Sequence, residues 1–249
     1  MANILVYLVT FADNTPLTLE CKKACHSGAL NVAGYARSIE EIFTQINRDR
    51  QYWGPGGGIT LTGGEPFMQP RFTHDLLKRC YDSYIHTAVE TCGNIPWENI
   101  AGTLPYLDWI FFDLKHMNPE KHHLATAVAP VPQITKSPKP QISHPRILSN
   151  ARKLASEFKG RLVFRMPIIP GFNDDFENVS ETAGFMREVG RNEINILPIH
   201  HLGREKYNLL GQTYYTNNFR IPTGNELNGI REKFSSFGIL CYIGSETPF

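Results

Sequence analysis

No charge of one sign dominates this 249-residue chain: 25 Lys and Arg stand against 24 Asp and Glu, a net charge of +1. Without a positive excess there is no field to collect phosphates, so neither a nucleic-acid partner nor a membrane surface is expected. Cysteine is scarce and odd in number, at five. That argues against a disulfide scaffold and for a reducing compartment, taken as the cytoplasm. No run of about 18 apolar residues occurs, so no membrane-spanning helix is expected. The apolar stretch Ile4 to Phe11 is too short to span, follows no basic stretch and precedes no clear small-residue cleavage site. It reads as a strand and not as a signal peptide. No internal repeat is visible. With 41% hydrophobic and 20% charged residues, wholesale disorder is excluded.

What the chain does have is alternation. Short β-branched or apolar runs are expected as strands at Gly58 to Thr62, His86 to Thr91, Leu107 to Leu114, Leu162 to Ile169, Ile194 to Ile199 and Ile239 to Ile243. Helical spacing is expected over Phe72 to Tyr84, Trp97 to Leu104, Arg146 to Phe158, Phe176 to Val189 and Thr223 to Phe237. Near-continuous apolar strands between helices indicate an α/β fold with a parallel sheet covered on both faces, either an open doubly wound sheet or a closed or partial barrel. Ala127 to Pro145 breaks the pattern with Pro130, Pro132, Pro138, Pro140 and Pro145, and reads as an inserted surface loop.

In parallel α/β folds, chemistry gathers at the C-terminal ends of the strands. Gly63-Gly64-Glu65-Pro66 follows the first of these runs, and two glycines permit either a tight turn or close approach of a ligand. Glu90-Thr91-Cys92-Gly93 ends the second. Asp113-Leu114-Lys115-His116 ends the third, with Asp113 and Lys115 on the same side by period two. They form either a local ion pair or part of a site. Arg165 lies within an apolar run and needs an anionic or hydroxyl partner. His200 and His201 follow the fifth run. Such groups suit a ligand with an amine, a carboxylate and hydroxyls, but they do not specify a reaction.

The reaction is implied by a resemblance. Gly57 to Pro66 resembles the GGE stretch of radical S-adenosylmethionine enzymes, and His86 to Gly93, Asp113 to His116, Pro170-Gly171-Phe172-Asn173-Asp174 and Leu197 to His200 follow in the order of that family. Together they resemble the glycyl-radical-enzyme activating enzymes, of the pyruvate formate-lyase activating enzyme kind, in the branch that carries a ferredoxin-like insert. The resemblance implies a partial (β/α)6 barrel of the TIM type. It implies an oxidoreductase with a [4Fe–4S] cluster and S-adenosyl-L-methionine as cofactors, generating a 5′-deoxyadenosyl radical that installs a glycyl radical on a partner under anaerobic conditions. The partner would be a glycyl-radical enzyme similar to formate acetyltransferase, and the electron donor a flavodoxin or ferredoxin. Carried over by residue, Gly64 would contact the methionine amino group, Asp113, Leu114 and Lys115 would line the cofactor and partner-glycine site, His200 would contact the cofactor, and Arg165 would assist. The resemblance assigns no catalytic side chain.

The cysteines depart from that pattern. The family holds its cluster with C-x3-C-x2-C, three thiolates that leave one iron open. The cysteines here are Cys21, Cys25, Cys80, Cys92 and Cys241, with no such triplet. Cys21 to Leu30 resembles instead the tail of a ferredoxin-type run, with His26 in place of its proline, so Cys21 and Cys25 are metal candidates as a remnant of the insert. The expected organisation is residues 1–35 as a non-matching start plus that remnant, and residues 36–249 as the barrel, with residues 127–145 inserted. The first barrel strand and the cluster loop are expected to be missing or replaced. The alternative to an activase is a truncated, non-catalytic remnant that binds S-adenosylmethionine or the partner at most. Cys80, on an apolar helix face, is expected in the core.

Overall fold

The computed structural model describes residues 36–54, 56–126, 144–204, 214 and 219–247. The expected strand at Ile4 to Phe11, the pair Cys21 and Cys25, and most of the proline-rich segment lie outside these residues. The chain divides into two compact units: Met1–Thr91 with Pro96–Asp108, and Cys92–Ile95 with Trp109–Phe249.

In the first unit, α1 (Ile39–Asp49) leads to β1 (Gly58–Leu61), α2 (Pro70–Tyr81), β2 (His86–Thr91) and α3 (Trp97–Ala101). α1 has a sequence signal that the apolar-run reading passed over. Ser38 accepts from the Glu41 backbone N–H while the Glu41 carboxylate accepts from the Ser38 N–H, closing a capping box. It buries Ile42, Phe43 and Ile46. The Arg79 guanidinium of α2 stacks 3.7 Å from the Phe43 ring centroid and bonds Glu40. β1 and β2 pair in parallel, Gly58 opposite His86 through Leu61 opposite Val89. The helix expected over Trp97 to Leu104 ends at Ala101, and Leu104–Tyr106 forms a separate 3₁₀ turn.

In the second unit, β3 (Trp109–Asp113) is followed by α4 (Pro119–Thr126), α5 (His144–Glu157), β4 (Arg161–Ile168), α6 (Phe176–Glu188), β5 (Glu193–Pro198), α7 (Gly224–Ser236) and β6 (Leu240–Ile243). α5 begins two residues earlier than its apolar spacing indicates and takes in Pro145. Proline in a first helical turn removes an N–H that would have no intrahelical acceptor, so it does not interrupt the helix. β3 to β6 pair in parallel in chain order. Ile110, Phe111 and Phe112 of β3 and Ile194, Asn195 and Ile196 of β5 are all buried, as strands covered on both faces must be. Phe112 and Phe164 meet edge to face at 6.0 Å, and Phe164 meets Phe185 of α6 at 6.1 Å.

The N-terminal ends of this sheet are locked by charge. Arg161 donates through Nη2 to Glu193 at 2.6 Å, lies 4.5 Å from the Trp109 ring centroid, and shares Glu193 with the Tyr242 hydroxyl at 3.1 Å. The Glu193 carboxylate holds the Arg161 pKa above its ordinary value. Features at this end of parallel barrels serve stability.

Gly93 is the tightest glycine of the second unit. Its φ is +68°, and a Cβ there would sit 2.2 Å from Phe112 Cζ. Left-handed strain and overpacking act together, so Gly93→Ala is expected to destabilise the protein by about 3 kcal/mol in urea unfolding.

Candidate functional site

Each unit, taken by itself, carries polar groups at the C-terminal ends of its strands. In the first unit, two threonines and two glutamates cross. The Thr62 hydroxyl, just after β1, donates to Glu90 Oε2 at 2.8 Å. The Thr91 hydroxyl, at the end of β2, lies 2.9 Å from both carboxylate oxygens of Glu65. Glu90 and Thr91 are adjacent in an extended strand and point to opposite faces. The two pairs therefore brace the strand ends from both sides. Glu65 also accepts from the Phe67 N–H at 3.3 Å. Its backbone follows Gly63, whose φ of +131° is glycine territory. Gly64 is exposed, with no atom of the described residues within 4 Å of where a Cβ would stand. Among the described residues, nothing packs against the turn at that position.

In the second unit, Asp113 is the last residue of β3 and pairs in register with Arg165 of β4. Arg165 Nε donates to Asp113 Oδ1 at 3.2 Å, and Lys115 Nζ lies 3.4 Å from Asp113 Oδ2. The same-side placement of Asp113 and Lys115 and the anionic partner of Arg165 are both as expected. Their side chains retain 20%, 31% and 17% exposure, so the cluster reaches solvent. Asp113 thus stands between two cations, one on its own turn and one on the neighbouring strand. Leu114 is buried and donates its N–H to the Arg165 carbonyl at 2.8 Å. His116 is buried, accepts the Asn118 N–H at Nδ1, and packs edge-on against Phe172. His200 is exposed. Its neighbour His201 is occupied, with its ring nitrogens 3.1 Å from the Tyr214 hydroxyl and 2.9 Å from the Phe219 carbonyl.

Sequence reasoning assigned no role to Thr62, Thr91, Asn173 or Asn178. Asn173 and Asn178 are both buried and tie the turn after β3 to the end of β4. The available signal was a pair of asparagines five residues apart beside a strand end, which reads equally well as turn chemistry.

The described cysteines do not suit a cluster. Cys80 and Cys241 are buried, and desolvation pushes both thiols up to about 12. Iron–sulfur ligands are thiolates, so neither side chain fits. Cys92 is half-buried. Among the described residues no group of three His, Cys, Asp or Glu is placed to hold a metal ion. Also among them, no helix is long and apolar enough to cross a membrane.

Residues 23–183 match the Radical SAM superfamily. The chain belongs to that superfamily, whose members use S-adenosylmethionine and a [4Fe–4S] cluster. Within it, the chain belongs with the activating enzymes of glycyl-radical enzymes. It is 37% identical over 233 residues to the 4-hydroxyphenylacetate decarboxylase activating enzyme of Clostridium scatologenes, covering 93% of this chain and 70% of that protein. It is 33% identical over 226 residues to the indoleacetate decarboxylase activating enzyme of Tractidigestivibacter scatoligenes, covering 91% and 67%. A domain of the pyruvate-formate lyase-activating enzyme from Bacteroides vulgatus superposes with a TM-score of 0.59 at 26% identity, over 76% of this chain and 99% of that one. The parallel strands and helices of each unit agree with the expected α/β fold of the partial-barrel type.

Two outcomes follow. Thr91→Val removes the hydroxyl that serves the Glu65 carboxylate, and a loss of about 1–3 kcal/mol is expected in thermal or urea unfolding. Among the described cysteines, brief iodoacetamide treatment of the native protein at pH 8 is expected to label Cys92 and spare Cys80 and Cys241, read by peptide mass spectrometry. Both buried thiols are raised from 9.0 to about 12, so the stability they lend is complete below pH 9 and falls as pH rises toward 12.

Proposed function

We propose that this chain acts as an activating enzyme for a glycyl-radical enzyme: it binds S-adenosylmethionine at its strand ends and presents it to a glycine of the partner. What supports this reading most is the Asp113, Lys115 and Arg165 cluster in a member of the activating-enzyme family. In the proposal, the open backbone at Gly64 receives the methionine amino group. Asp113, Leu114 and Lys115 line the cofactor and partner-glycine site, with Arg165 orienting Asp113. His200, exposed after β5, contacts the cofactor. The partner is a glycyl-radical enzyme of the formate acetyltransferase kind, and the electron donor a flavodoxin or ferredoxin. The setting is anaerobic and, on the cysteine argument, cytoplasmic. Residues 36–249 are read as the barrel and 1–35 as a start bearing the insert remnant.

The superfamily's [4Fe–4S] cluster supplies reductive cleavage of S-adenosylmethionine. The described residues do not fit that cluster, and the 249 residues contain no C-x3-C-x2-C. What these residues do in the proposal is bind and orient. Lys115 and Arg165 carry the positive charge that meets a carboxylate, while Asp113 keeps both cations in place. The missing triplet favours a second reading, in which the chain binds S-adenosylmethionine or the partner without cleaving the cofactor.

The deciding experiment is anaerobic incubation with iron and sulfide, then with S-adenosylmethionine, a reductant and 4-hydroxyphenylacetate decarboxylase as trial partner. 5′-Deoxyadenosine and a glycyl-radical paramagnetic resonance signal would establish the activase reading. Calorimetry with S-adenosylmethionine is expected to show binding that Lys115→Ala weakens about tenfold, as loss of a charge-assisted contact does. Binding without 5′-deoxyadenosine would establish the second reading; no binding at all would overturn both.

A further inference from the structure

We propose that Asn173, seconded by Asn178, is a positioning residue: a buried amide clamp that holds the turn from which Asp113 and Lys115 are presented. The inference deepens the reading above and rests on it for its link to S-adenosylmethionine. Parallel strands end by leaving carbonyls without a ladder partner, and a buried carbonyl must find a donor. The Asn173 side chain is fully buried and meets two such carbonyls and one backbone N–H at once. Its Nδ2 donates to the Lys115 carbonyl at 2.9 Å and to the Pro167 carbonyl at 2.7 Å, and its Oδ1 accepts the Ile169 N–H at 2.8 Å. One planar group thus joins the turn after β3 to both sides of the end of β4.

Asn178 completes the arrangement from the first turns of α6. Its Oδ1 accepts the Met117 N–H at 2.9 Å, and its Nδ2 donates to the Asn173 backbone carbonyl at 2.9 Å. Its own N–H is held by the N-cap Asp175 at 2.7 Å, which keeps the Asp175 carboxyl below its ordinary pKa. The turn is therefore gripped at Leu114 by the strand ladder, at Lys115 by Asn173 and at Met117 by Asn178. Lys115 is the only one of the three whose side chain carries charge at the solvent-reaching cluster, and its carbonyl is held by an asparagine amide. Two donors on one nitrogen beside one acceptor is a pattern that asparagine and glutamine offer and aspartate does not. Asp at this position would set a carboxylate against two carbonyls, and Ser would reach at most one of them.

The test compares Asn173→Asp and Asn173→Ser with Ile230→Ala, a core truncation in α7 that lowers stability without touching the turn. The second Asn173 variant, neutral and smaller, carries the measurement should the buried carboxylate prevent folding. The first readout is amide hydrogen exchange in the ligand-free protein, by mass spectrometry. Peptides covering residues 113–118 are expected to exchange at least about tenfold faster in the Asn173 variants, while those covering 193–198 stay as protected as in the unaltered protein. Ile230→Ala is expected to leave 113–118 protected relative to the rest of the chain. The second readout is calorimetry with S-adenosylmethionine. A roughly tenfold loss of affinity is expected for the Asn173 variants, and none for Ile230→Ala at an equal or greater loss of melting temperature. Unchanged protection of 113–118 in the Asn173 variants overturns the clamp, and so does equal loosening by Ile230→Ala. If the unaltered protein takes up no S-adenosylmethionine, the proposed function fails while the exchange data still decide the clamp.

Discussion

The second unit is organised around one carboxylate. Asp113 ends a strand whose three preceding residues are buried, and a charge delivered to that position must be met by opposite charge. Parallel register supplies the answer at a single step, because Asp113 and Arg165 are direct partners in the β3–β4 ladder. Lys115, two residues on, returns to the same side and adds a second cation. Each of these contacts depends on the turn after β3 keeping its geometry. That is why the two buried asparagines matter: they hold backbone that no sheet partner holds. A contrasting cluster at the other end of the same sheet, Arg161 with Glu193 and Tyr242, is closed on itself and also stacked on Trp109. Arg161 and Arg165 share one strand. Arg161 is held among residues at the strand starts, whereas Arg165 bonds Asp113 at the strand ends.

The first unit solves a related problem with neutral donors. Glu65 and Glu90 stand near neighbouring strand ends, where the Thr91 and Thr62 hydroxyls serve them. A hydroxyl donates to a carboxylate without cancelling its charge. Crossing the pairs has a mechanical consequence. Both pairs tie the end of β2 to the segment after β1, one on each side of the Gly63–Gly64 turn, which is thereby held.

Much of the fold was legible because apolar runs are a direct record of burial on both faces of a parallel strand. His86 to Thr91 was read with its observed boundaries, and β4, β5 and β6 to within one residue. The omissions have specific causes. α1 is announced by Ser38 and Glu41, a hydrogen-bond signal that a search for apolar spacing does not register. α5 takes in Pro145, because proline density marks a break only where the missing N–H would have been used. At the site, Asp113, Lys115 and Arg165 were legible because a charge inside or beside an apolar run demands a partner. Thr62, Thr91, Asn173 and Asn178 were not, since an uncharged polar residue near a turn is the ordinary content of loops. Their importance comes from partners 26 to 61 residues away in sequence, and no local pattern encodes that distance.

The cysteines separate two things that family membership joins. Cys80 packs with Leu76 and Leu77 on the buried side of α2, and Cys241 is buried in β6. Both act as small apolar side chains, and the desolvation that makes them good packers is what denies them thiolate character. They are excluded as iron ligands by energy as well as by position. The core of the second unit is built from Phe112, Phe164, Phe185, Met166 and Ile194, and no thiolate contributes to it. Among the described residues, the packing of the second unit, its ion cluster and its asparagine clamp thus stand on apolar burial, ion pairs and hydrogen bonds.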